Sequence, residues 1–391
     1  MRSRRAIAMI HRSVVTTEII SPYRIPVFNA LAQQKDLDLH VIFLSETDVN
    51  LRQWRVYKEG IRFSYEVLPS WRLHVAGHNI LLNRRLRFSL NKSLPESVIC
   101  GGYNYLASWQ ALWWARRHNV RFVLWTESNQ RDKRSGHAGV EWLKRYFVSS
   151  CNAFVVPGKS SFAYLRTLGV SEQAIFTAPN AVDNTFFATQ AEEVRRQPAA
   201  FREKFRLPPR FLLFVGRLVP EKGVFDLLHA YAKLGSDLRS QAGLVFAGDG
   251  VSTEALSEQA KLVDPGIISF CGFAQREDLA GLYALAEVFV LPTHSDTWGL
   301  VVNEAMACGL PIVVTDVAGC ASDLVHDGWN GYIVPPSNPD RLSAAISSML
   351  RQPETTRQMR ARSSERIQSY SPQACADGLA EVALAAGRES R

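Results

Sequence analysis

Short apolar runs alternate with longer amphipathic segments along the whole chain. In the first half, the runs have the length and composition of buried strands, and the segments between them have the apolar spacing of helices. Because such strands are apolar on both faces, they predict a parallel sheet that is covered by helices on each side. The predicted strands are 6–10, 39–44, 97–100, 121–125 and 153–156, and the predicted helices are 24–33, 104–118, 140–149 and 160–168.

The second half repeats this alternation. A polar, proline-bearing and only partly helical stretch at 191–209 separates the halves, as expected of a domain junction. We therefore predict a doubly wound first domain at 1–190, a doubly wound second domain at 191–371, and a closing helix and tail at 372–391. The predicted strands of the second half are 211–215, 243–247, 267–270, 287–291, 312–315 and 332–334, and the closing helix is predicted at 371–386.

The composition is that of a globular protein, with 47% hydrophobic and 21% charged residues. No apolar run approaches the roughly 18 residues that a membrane span requires. The basic start of the chain has too few apolar residues for a signal-peptide core. The six cysteines contain no C-x-x-C pair. We therefore expect reduced thiols and a cytoplasmic location.

Charge is distributed unevenly along the chain. Through Asp183 there are 25 Lys and Arg against 13 Asp and Glu, an excess of 12 positive charges in a chain whose net charge is +8. Within this part, the stretch 78–92 mixes leucines with arginines and predicts an interfacial helix that contacts anionic lipid at the inner face of a membrane. The alternative is a solvated helix face. No nucleic-acid partner is predicted.

One stretch, 294–311, has the pattern of a ligand site. A predicted strand precedes it, and Gly299 opens an apolar helix whose first N–H groups can approach an anion closely. Glu304 needs a partner inside this apolar helix, and a ribose diol offers two hydroxyl donors. Asp296, with seven residues between it and Glu304, is placed to accept from sugar hydroxyls. The alternative is that Asp296 or Thr297 caps the helix while Glu304 faces solvent.

A second motif follows the predicted strand at 211–215. The sequence GRLVPEKG places Arg217 and Lys222 on one short loop. A guanidinium can bind two phosphate oxygens and an ammonium can act as a point charge beside them, so the pair suits a pyrophosphate. The alternative is a basic surface loop. Both motifs follow strands of one doubly wound sheet, which brings them to the same edge.

Together these motifs resemble the retaining glycosyltransferases of family 4, which have the GT-B fold. That family shows a G-R-x6-K-G loop, here shortened, and an E-x7-E signature, whose first Glu is replaced here by Asp296. The resemblance implies two Rossmann-like domains that face an interdomain cleft, with the closing helix crossing back to the first domain. It also implies that Arg217 and Lys222 hold the donor diphosphate, Glu304 the ribose and Asp296 the sugar. Further donor-binding residues implied by the resemblance are Gly216, Gly248, Asp249, Gly250, Phe273, Thr297, Trp298, Gly299 and Leu300.

The implied reaction is the transfer of a hexose from a nucleoside-diphosphate sugar to a glycan, lipid-linked or small-molecule hydroxyl, with retained configuration. No cofactor or metal is expected, because two cations and a helix terminus carry the charge. The D-x-D pattern at 36–38 is explained by turn chemistry. The alternatives are an inverting transferase with Glu127 or Glu18 as base, a sugar-nucleotide epimerase, and a non-enzymatic sugar-nucleotide sensor or scaffold protein.

The first half offers candidate acceptor residues. No G-x-G-x-x-G follows its first predicted strand, which argues against a nicotinamide site. Polar side chains after predicted strands are expected to line an acceptor site, although an ordinary helix entry is the alternative. His11 and His294 are interpreted as polar core or loop residues. The candidate acceptor residues are Glu18, Ser21, Arg24, Glu127 and Arg131.

Overall fold

The computed structural model describes residues 10–47, 54–75, 78–130, 138–263 and 267–385. The chain divides into two compact units. Of the described residues, 10–128, 138–179 and 372–385 belong to the first unit, and 129–130 and 180–371 to the second.

The first unit is built on a parallel sheet. Its strands are β1 His11–Thr17, β2 Leu37–Phe43, β3 Ser64–Val67, β4 Ser70–Val75, β5 His78–Asn83, β6 Ser97–Gly101, β7 Arg121–Trp125, β8 Ala153–Val156 and β9 Ile175–Thr177. Among the described residues, seven of them form one sheet in the order β3-β2-β1-β6-β7-β8-β9, while β4 and β5 form a hairpin. The helices are α1 Arg24–Leu31, α2 Leu86–Ser93, α3 Leu106–Arg117, α4 Ala138–Ser149, α5 Lys159–Thr167 and, from the end of the chain, α16 Pro372–Ala385.

The first strand lies later in the chain than its apolar pattern predicts. We expected 6–10, of which 6–9 lie outside the described residues, whereas β1 begins at His11. The reason is that β1 buries polar side chains, which hides it from a search for apolar runs. Ser97 Oγ donates to Ser13 Oγ at 3.0 Å and also bonds His11 Nε2 at 3.0 Å, so these buried polar groups satisfy one another.

The interfacial helix predicted at 78–92 is wrong. Residues 78–83 form β5, which pairs antiparallel with β4 so that Leu82 lies opposite Trp71. The helix of this region, α2, begins only at Leu86. Buried Asn83 explains the difference, because its side-chain amide donates to the carbonyl of Leu44 at 2.6 Å and fixes the end of the hairpin on the sheet. Leu81 and Leu82 therefore lie on a strand, whereas Leu86 and Leu90 lie on a helix.

The second unit contains the other parallel sheet. Its strands are β10 Phe211–Val215, β11 Gly243–Ala247, β12 Ile268–Phe270, β13 Val288–Leu291, β14 Ile312–Thr315 and β15 Gly331–Val334, in the order β12-β11-β10-β13-β14-β15. The strands that follow β10 are added first on one side of it, as β11 and β12, and then on the other side, as β13 to β15. The strand order therefore reverses between β10 and β13, and ligands of such folds bind at that point. The helices are α6 Asn184–Arg196, α7 Pro198–Phe205, α8 Val224–Ala232, α9 Ser236–Gln241, α10 Thr253–Val263, α11 Arg276–Leu285, α12 Leu300–Ala307, α13 Ala321–Leu324, α14 Pro339–Arg351 and α15 Pro353–Ile367.

The stretch between the halves is more helical than its sequence indicates. Asp183 caps α6 by accepting from the backbone N–H of Phe186 at 3.0 Å, and Pro198 occupies the first turn of α7. Arg195 of α6 donates to the carbonyl of Ala284 at 3.1 Å, which ties α6 to α11. Apart from residues 129–130, the second unit begins at residue 180, eleven residues before the predicted start at 191, whereas α16 lies in the first unit.

Two further observations concern the whole chain. All six cysteines are free thiols, and four of them are buried. Across the described ranges, the helices are too short or too polar to cross a bilayer.

Candidate functional site

The loop after β10 carries the two predicted cations. The Arg217 side chain is exposed, and Lys222 ends a 3-10 turn at Pro220–Lys222. Gly223 follows with a left-handed φ of +67° and is the N-cap of α8, which begins at Val224. A Cβ at this glycine would lie 2.0 Å from the carbonyl oxygen of Pro292, so only glycine lets this turn approach the loop that leaves β13.

Lys222 and Asp296 form an ion pair. Lys222 Nζ lies 2.5 Å from Asp296 Oδ2, and the two side chains are only 18% and 17% exposed. The other carboxylate oxygen of Asp296 accepts from the backbone N–H of Trp298 at 3.4 Å. The fold therefore brings together two residues that the sequence separates by 74 positions. Because an ammonium has three donors, Lys222 can hold Asp296 and still bind a phosphate oxygen.

The helix α12 begins beside this pair. Its N-cap residue is Gly299, with a φ of +100°, and its first helical residue is Leu300. The N–H groups of the first turn have no carbonyl one turn earlier to bind, and they form the positive end of the helix dipole. A glycine cap supplies no side-chain oxygen to these groups, so an anion can take that place. Thr297, just before the cap, is half-buried.

Glu304 lies inside the second unit. Its carboxylate accepts from the hydroxyl of Tyr283 at 2.7 Å, and both residues are fully buried. The alternative that Glu304 faces solvent is therefore wrong. The predicted ribose contact stays a prediction, and it requires the carboxylate to become accessible when the donor binds.

Trp298 is buried beneath the turn that precedes α12. The indole is 2% exposed, and its N–H donates to Asn303 Oδ1 at 2.9 Å. The Asn303 amide in turn donates to the carbonyl of Asn180 at 2.9 Å. These hydrogen bonds fix the turn before α12. Because the indole is buried, neither of its faces is accessible to a donor in this structure. We did not predict the role of Asn303, although an asparagine in an otherwise apolar helix was a signal for it.

The loops after β10 and β11 touch each other through glycine. A Cβ on Gly248 would lie 1.9 Å from the carbonyl oxygen of Gly216. The carboxylate of Asp249 accepts from the N–H of Gly250 at 2.7 Å and from the Thr253 hydroxyl at 2.9 Å, so it organises its own turn. Beyond β12, the ring of Phe273 is 44% exposed. The loops after β10 and β11 thus approach each other closely at their glycines, and the loop after β12 carries the exposed ring of Phe273.

A second pair, between His294 and Asp226, lies at the same edge of the second sheet and was not predicted. His294 Nε2 lies 2.6 Å from Asp226 Oδ2, at the start of α8. The backbone N–H of His294 and the hydroxyl of Thr293 both donate to the carbonyl of Glu221, at 2.8 and 3.0 Å. These bonds hold the turn that carries Lys222 against the loop that carries Asp296. The loop interpretation of His294 agrees with this position.

Metal ligands are a separate question. Within the described ranges, no group of three or more His, Cys, Asp or Glu side chains is arranged to hold a metal ion.

In the first unit, the structure pairs two of the candidate acceptor residues. Arg24 Nη2 lies 2.6 Å from Glu127 Oε1, and the guanidinium stacks 3.9 Å from the centroid of the Trp125 ring. The two charged side chains are 21% and 32% exposed. Glu18 and Ser21 are half-buried in the loop after β1, and Arg131 lies outside the described residues.

His11 is the other histidine that the sequence offered. It lies on β1, where burial lowers its pKa below the usual value despite the nearby carboxylate of Glu96. It is a buried, hydrogen-bonded residue of the sheet, as its core interpretation predicts.

With this geometry in view, comparison with known proteins is informative. The family model of the group 1 glycosyl transferases matches residues 196–366, which include every predicted donor residue. The matched residues lie within the predicted doubly wound second domain, so this half of the chain is similar to the group 1 glycosyl transferases.

Relatives of this chain extend the likeness beyond that domain. Glycogen synthase of Mycobacterium tuberculosis is 28% identical over 341 residues, which are 83% of this chain and 77% of that one. D-inositol 3-phosphate glycosyltransferase of Frankia alni is 35% identical over 178 residues, 43% of each chain.

Solved structures show the fold. HepE of Anabaena, in complex with UDP and glucose, superposes with a TM-score of 0.74 at 15% identity, covering 96% of this chain and 100% of that one. The lipopolysaccharide outer core galactosyltransferase WaaB superposes with a TM-score of 0.68 at 15% identity, covering 96% and 99%. The predicted α/β class and the GT-B fold are confirmed.

Proposed function

We propose that this protein is a glycosyltransferase that moves a hexose from a nucleoside-diphosphate sugar to a glycan, lipid-linked or small-molecule hydroxyl with retention of configuration, as in family 4. The observation that carries the proposal is the Lys222–Asp296 pair beside the glycine-capped start of α12. A cation, a carboxylate and free amides at one sheet edge can bind a diphosphate and a sugar next to each other. HepE, which shares the fold, is described in complex with UDP and with UDP-glucose, and this supports the donor class.

Each part of the donor has a partner of suitable chemistry. Arg217 and Lys222 bind the diphosphate together with the amides after Gly299. The exposed ring of Phe273 is suited to stack against the base. Asp296 accepts from hydroxyls of the sugar, and its pairing with Lys222 orients the carboxylate. Asp296 has a shorter side chain than the Glu of the family signature. Lys222 nevertheless forms an ion pair with it in this structure.

Catalysis in this proposal is electrostatic. Negative charge grows on the diphosphate as it leaves, and cations and amides that are already in place stabilise that charge without reorganisation. The acceptor oxygen bonds to the anomeric carbon from the face on which the diphosphate departs, while the bond from that carbon to the diphosphate breaks. The hydroxyl proton passes to the departing phosphate oxygen, so the enzyme needs no protein nucleophile. Because Arg217, Lys222 and the helix terminus supply the positive charge, we propose that no metal or other cofactor takes part.

The acceptor residues of this proposal are Glu18, Ser21, Arg24 and Glu127. Arg24 and Glu127 form a charged pair that can donate to and accept from acceptor hydroxyls. This pair also bears on the inverting alternative, in which Glu127 would be the base. Oε1 of Glu127 already accepts from the Arg24 guanidinium at 2.6 Å, and this contact suits a residue that positions the acceptor better than one that takes its proton.

The place of the reaction follows from the donor. Nucleoside-diphosphate sugars are charged metabolites, and we propose that the enzyme uses them in the cytoplasm. The positive excess of the first half supports a peripheral contact with an anionic membrane.

The anomeric configuration of the product tests this proposal. Purified protein is incubated with UDP-, GDP- and ADP-hexoses and a panel of hydroxyl acceptors in EDTA, and the products are followed by NMR. We expect transfer from one donor class, with retained configuration and without loss of rate in EDTA. Inverted product would assign Glu127 or Glu18 as a base. Epimerised nucleotide sugar, or tight binding without turnover, would contradict transferase activity.

A further inference from the structure

The helices α3 and α4 expose aromatic side chains to solvent. Trp113 is 52% exposed, Trp142 is 64% exposed and Tyr146 is 42% exposed. Leu143 is 46% exposed beside them, and Trp109 is half-buried between the helices. We call these five residues the aromatic patch.

The aromatic patch is continuous across the two helices. The ring of Trp109 packs edge-on against Trp113 at 6.1 Å and lies parallel to Tyr146, with centroids 6.2 Å apart. Tyr146 in turn stacks against Trp142 at 5.9 Å. The four rings therefore form one surface. Exposed apolar surface of this extent on a globular protein indicates an interaction site.

The charge around the aromatic patch is positive. The helices α2, α3 and α4 carry one acidic residue, Glu141, which lies 3.9 Å from Lys144. Arg116 at the end of α3 donates to the Ser150 hydroxyl at 3.0 Å, which places its charge beside the end of α4. The cations of these three helices are Arg87, Lys92, Arg116, Arg117, Lys144 and Arg145.

We infer that the aromatic patch docks on an anionic lipid surface. Indole and phenol rings partition into the boundary between headgroups and acyl chains, because one end of each ring is apolar and the other is polar. Cations at the rim are attracted to negatively charged headgroups. A second copy of this chain fits less well, because it would bring two positive surfaces together. The surface on α3 and α4 replaces the one that the sequence placed at 78–92.

The aromatic patch lies on helices of the same unit as the candidate acceptor residues. The helix α3 starts where β6 ends, at the carboxyl edge of the first sheet, and Glu127 follows β7 at the same edge. Docking through α3 and α4 therefore brings the candidate acceptor residues near the lipid surface. A lipid-linked acceptor is then favoured among the acceptors proposed above. That preference rests on the proposed sugar transfer, whereas the docking itself deepens the proposed membrane contact and does not depend on the donor site.

Vesicle binding tests the inference. The wild-type chain is sedimented with vesicles of phosphatidylcholine alone and of phosphatidylcholine with phosphatidylglycerol, without any nucleotide. We expect binding to the anionic vesicles at low salt, weaker binding at high salt, and little binding to the neutral ones. The double variant Trp113→Ala/Trp142→Ala should bind at least about tenfold more weakly, because membrane affinity scales with the apolar area inserted. Arg116→Gln/Arg117→Gln should lose about fivefold per cation removed.

The matched control is Trp71→Ala. Trp71 is as exposed as Trp113, at 52%, but it lies on β4, where the guanidinium of Arg84 stacks on it at 4.2 Å. This variant should bind vesicles like the wild type, and thermal unfolding should show that all variants remain folded. Equal loss in Trp71→Ala, equal binding to neutral vesicles, or self-association that the double variant abolishes would overturn the inference. Lys222→Ala should bind vesicles normally, so a failed donor site cannot be mistaken for failed docking.

Discussion

Replacing Lys222 with alanine is expected to lower kcat/KM for the nucleotide-sugar donor by about 10³-fold. Removal of one preorganised group that stabilises developing charge costs roughly 10²- to 10³-fold in rate, and here the lost group carries a full charge. The change also leaves the carboxylate of Asp296, 17% exposed, without its partner at 2.5 Å. Steady-state kinetics with the donor identified by NMR measure this effect.

The same change should affect stability much less than activity. Loss of a charged hydrogen bond costs about 1 to 3 kcal/mol, whereas a 10³-fold loss of rate corresponds to about 4 kcal/mol of transition-state stabilisation. Lys261→Ala is the matched control, because Lys261 forms an exposed ion pair with Glu258 at 2.6 Å on α10. It should keep full activity. A Lys222→Ala enzyme with wild-type turnover would refute the role of this ammonium.

Gly223→Ala is expected to lower the stability of the fold substantially. A Cβ at this position would lie 2.0 Å from the carbonyl oxygen of Pro292, and the φ of +67° is unfavourable for any other residue. The left-handed backbone costs roughly 1 to 2 kcal/mol and an overpacked contact roughly 1 to 3 kcal/mol. We therefore expect the free energy of unfolding to fall by about 2 to 5 kcal/mol, as measured by chemical denaturation.

Gly328→Ala separates the two causes. Gly328 has a similar φ of +72° in the second unit, but a Cβ there would meet open space. This variant should lose only the backbone share, about 1 to 2 kcal/mol. In Gly223→Ala, the turn must also move away from the loop after β13, so donor binding should weaken as well. Equal losses in the two variants would show that the close approach to Pro292 is unimportant.

Much of the fold could be predicted from the apolar pattern. Strands β7, β8, β10, β11 and β14 have the predicted bounds, because each is an apolar run between turn signals. The failures have a common physical cause. β1 buries Ser13 and other polar groups that bond across the sheet, and β5 ends on Asn83, which bonds a distant carbonyl. Long-range hydrogen bonds of this kind leave no local pattern in a sequence.

The site was predicted in part. Residues after strands of one parallel sheet come to the same edge, so the approach of Lys222 to Asp296 follows from topology. The roles of Tyr283, Asn303 and Asp226 could not be predicted in the same way. Tyr283 bonds Glu304, Asn303 bonds Trp298 and Asp226 bonds His294, and each partner is set by side-chain packing rather than by the order of the strands.

The most direct test of the donor site is a crystal structure of the protein with a bound nucleoside-diphosphate sugar. We predict that the diphosphate lies within about 3 Å of the Lys222 ammonium and of a backbone amide in the first turn of α12, with Arg217 on its outer oxygens. A donor that binds elsewhere, while Lys222 and the start of α12 make no contact with it, would contradict this account.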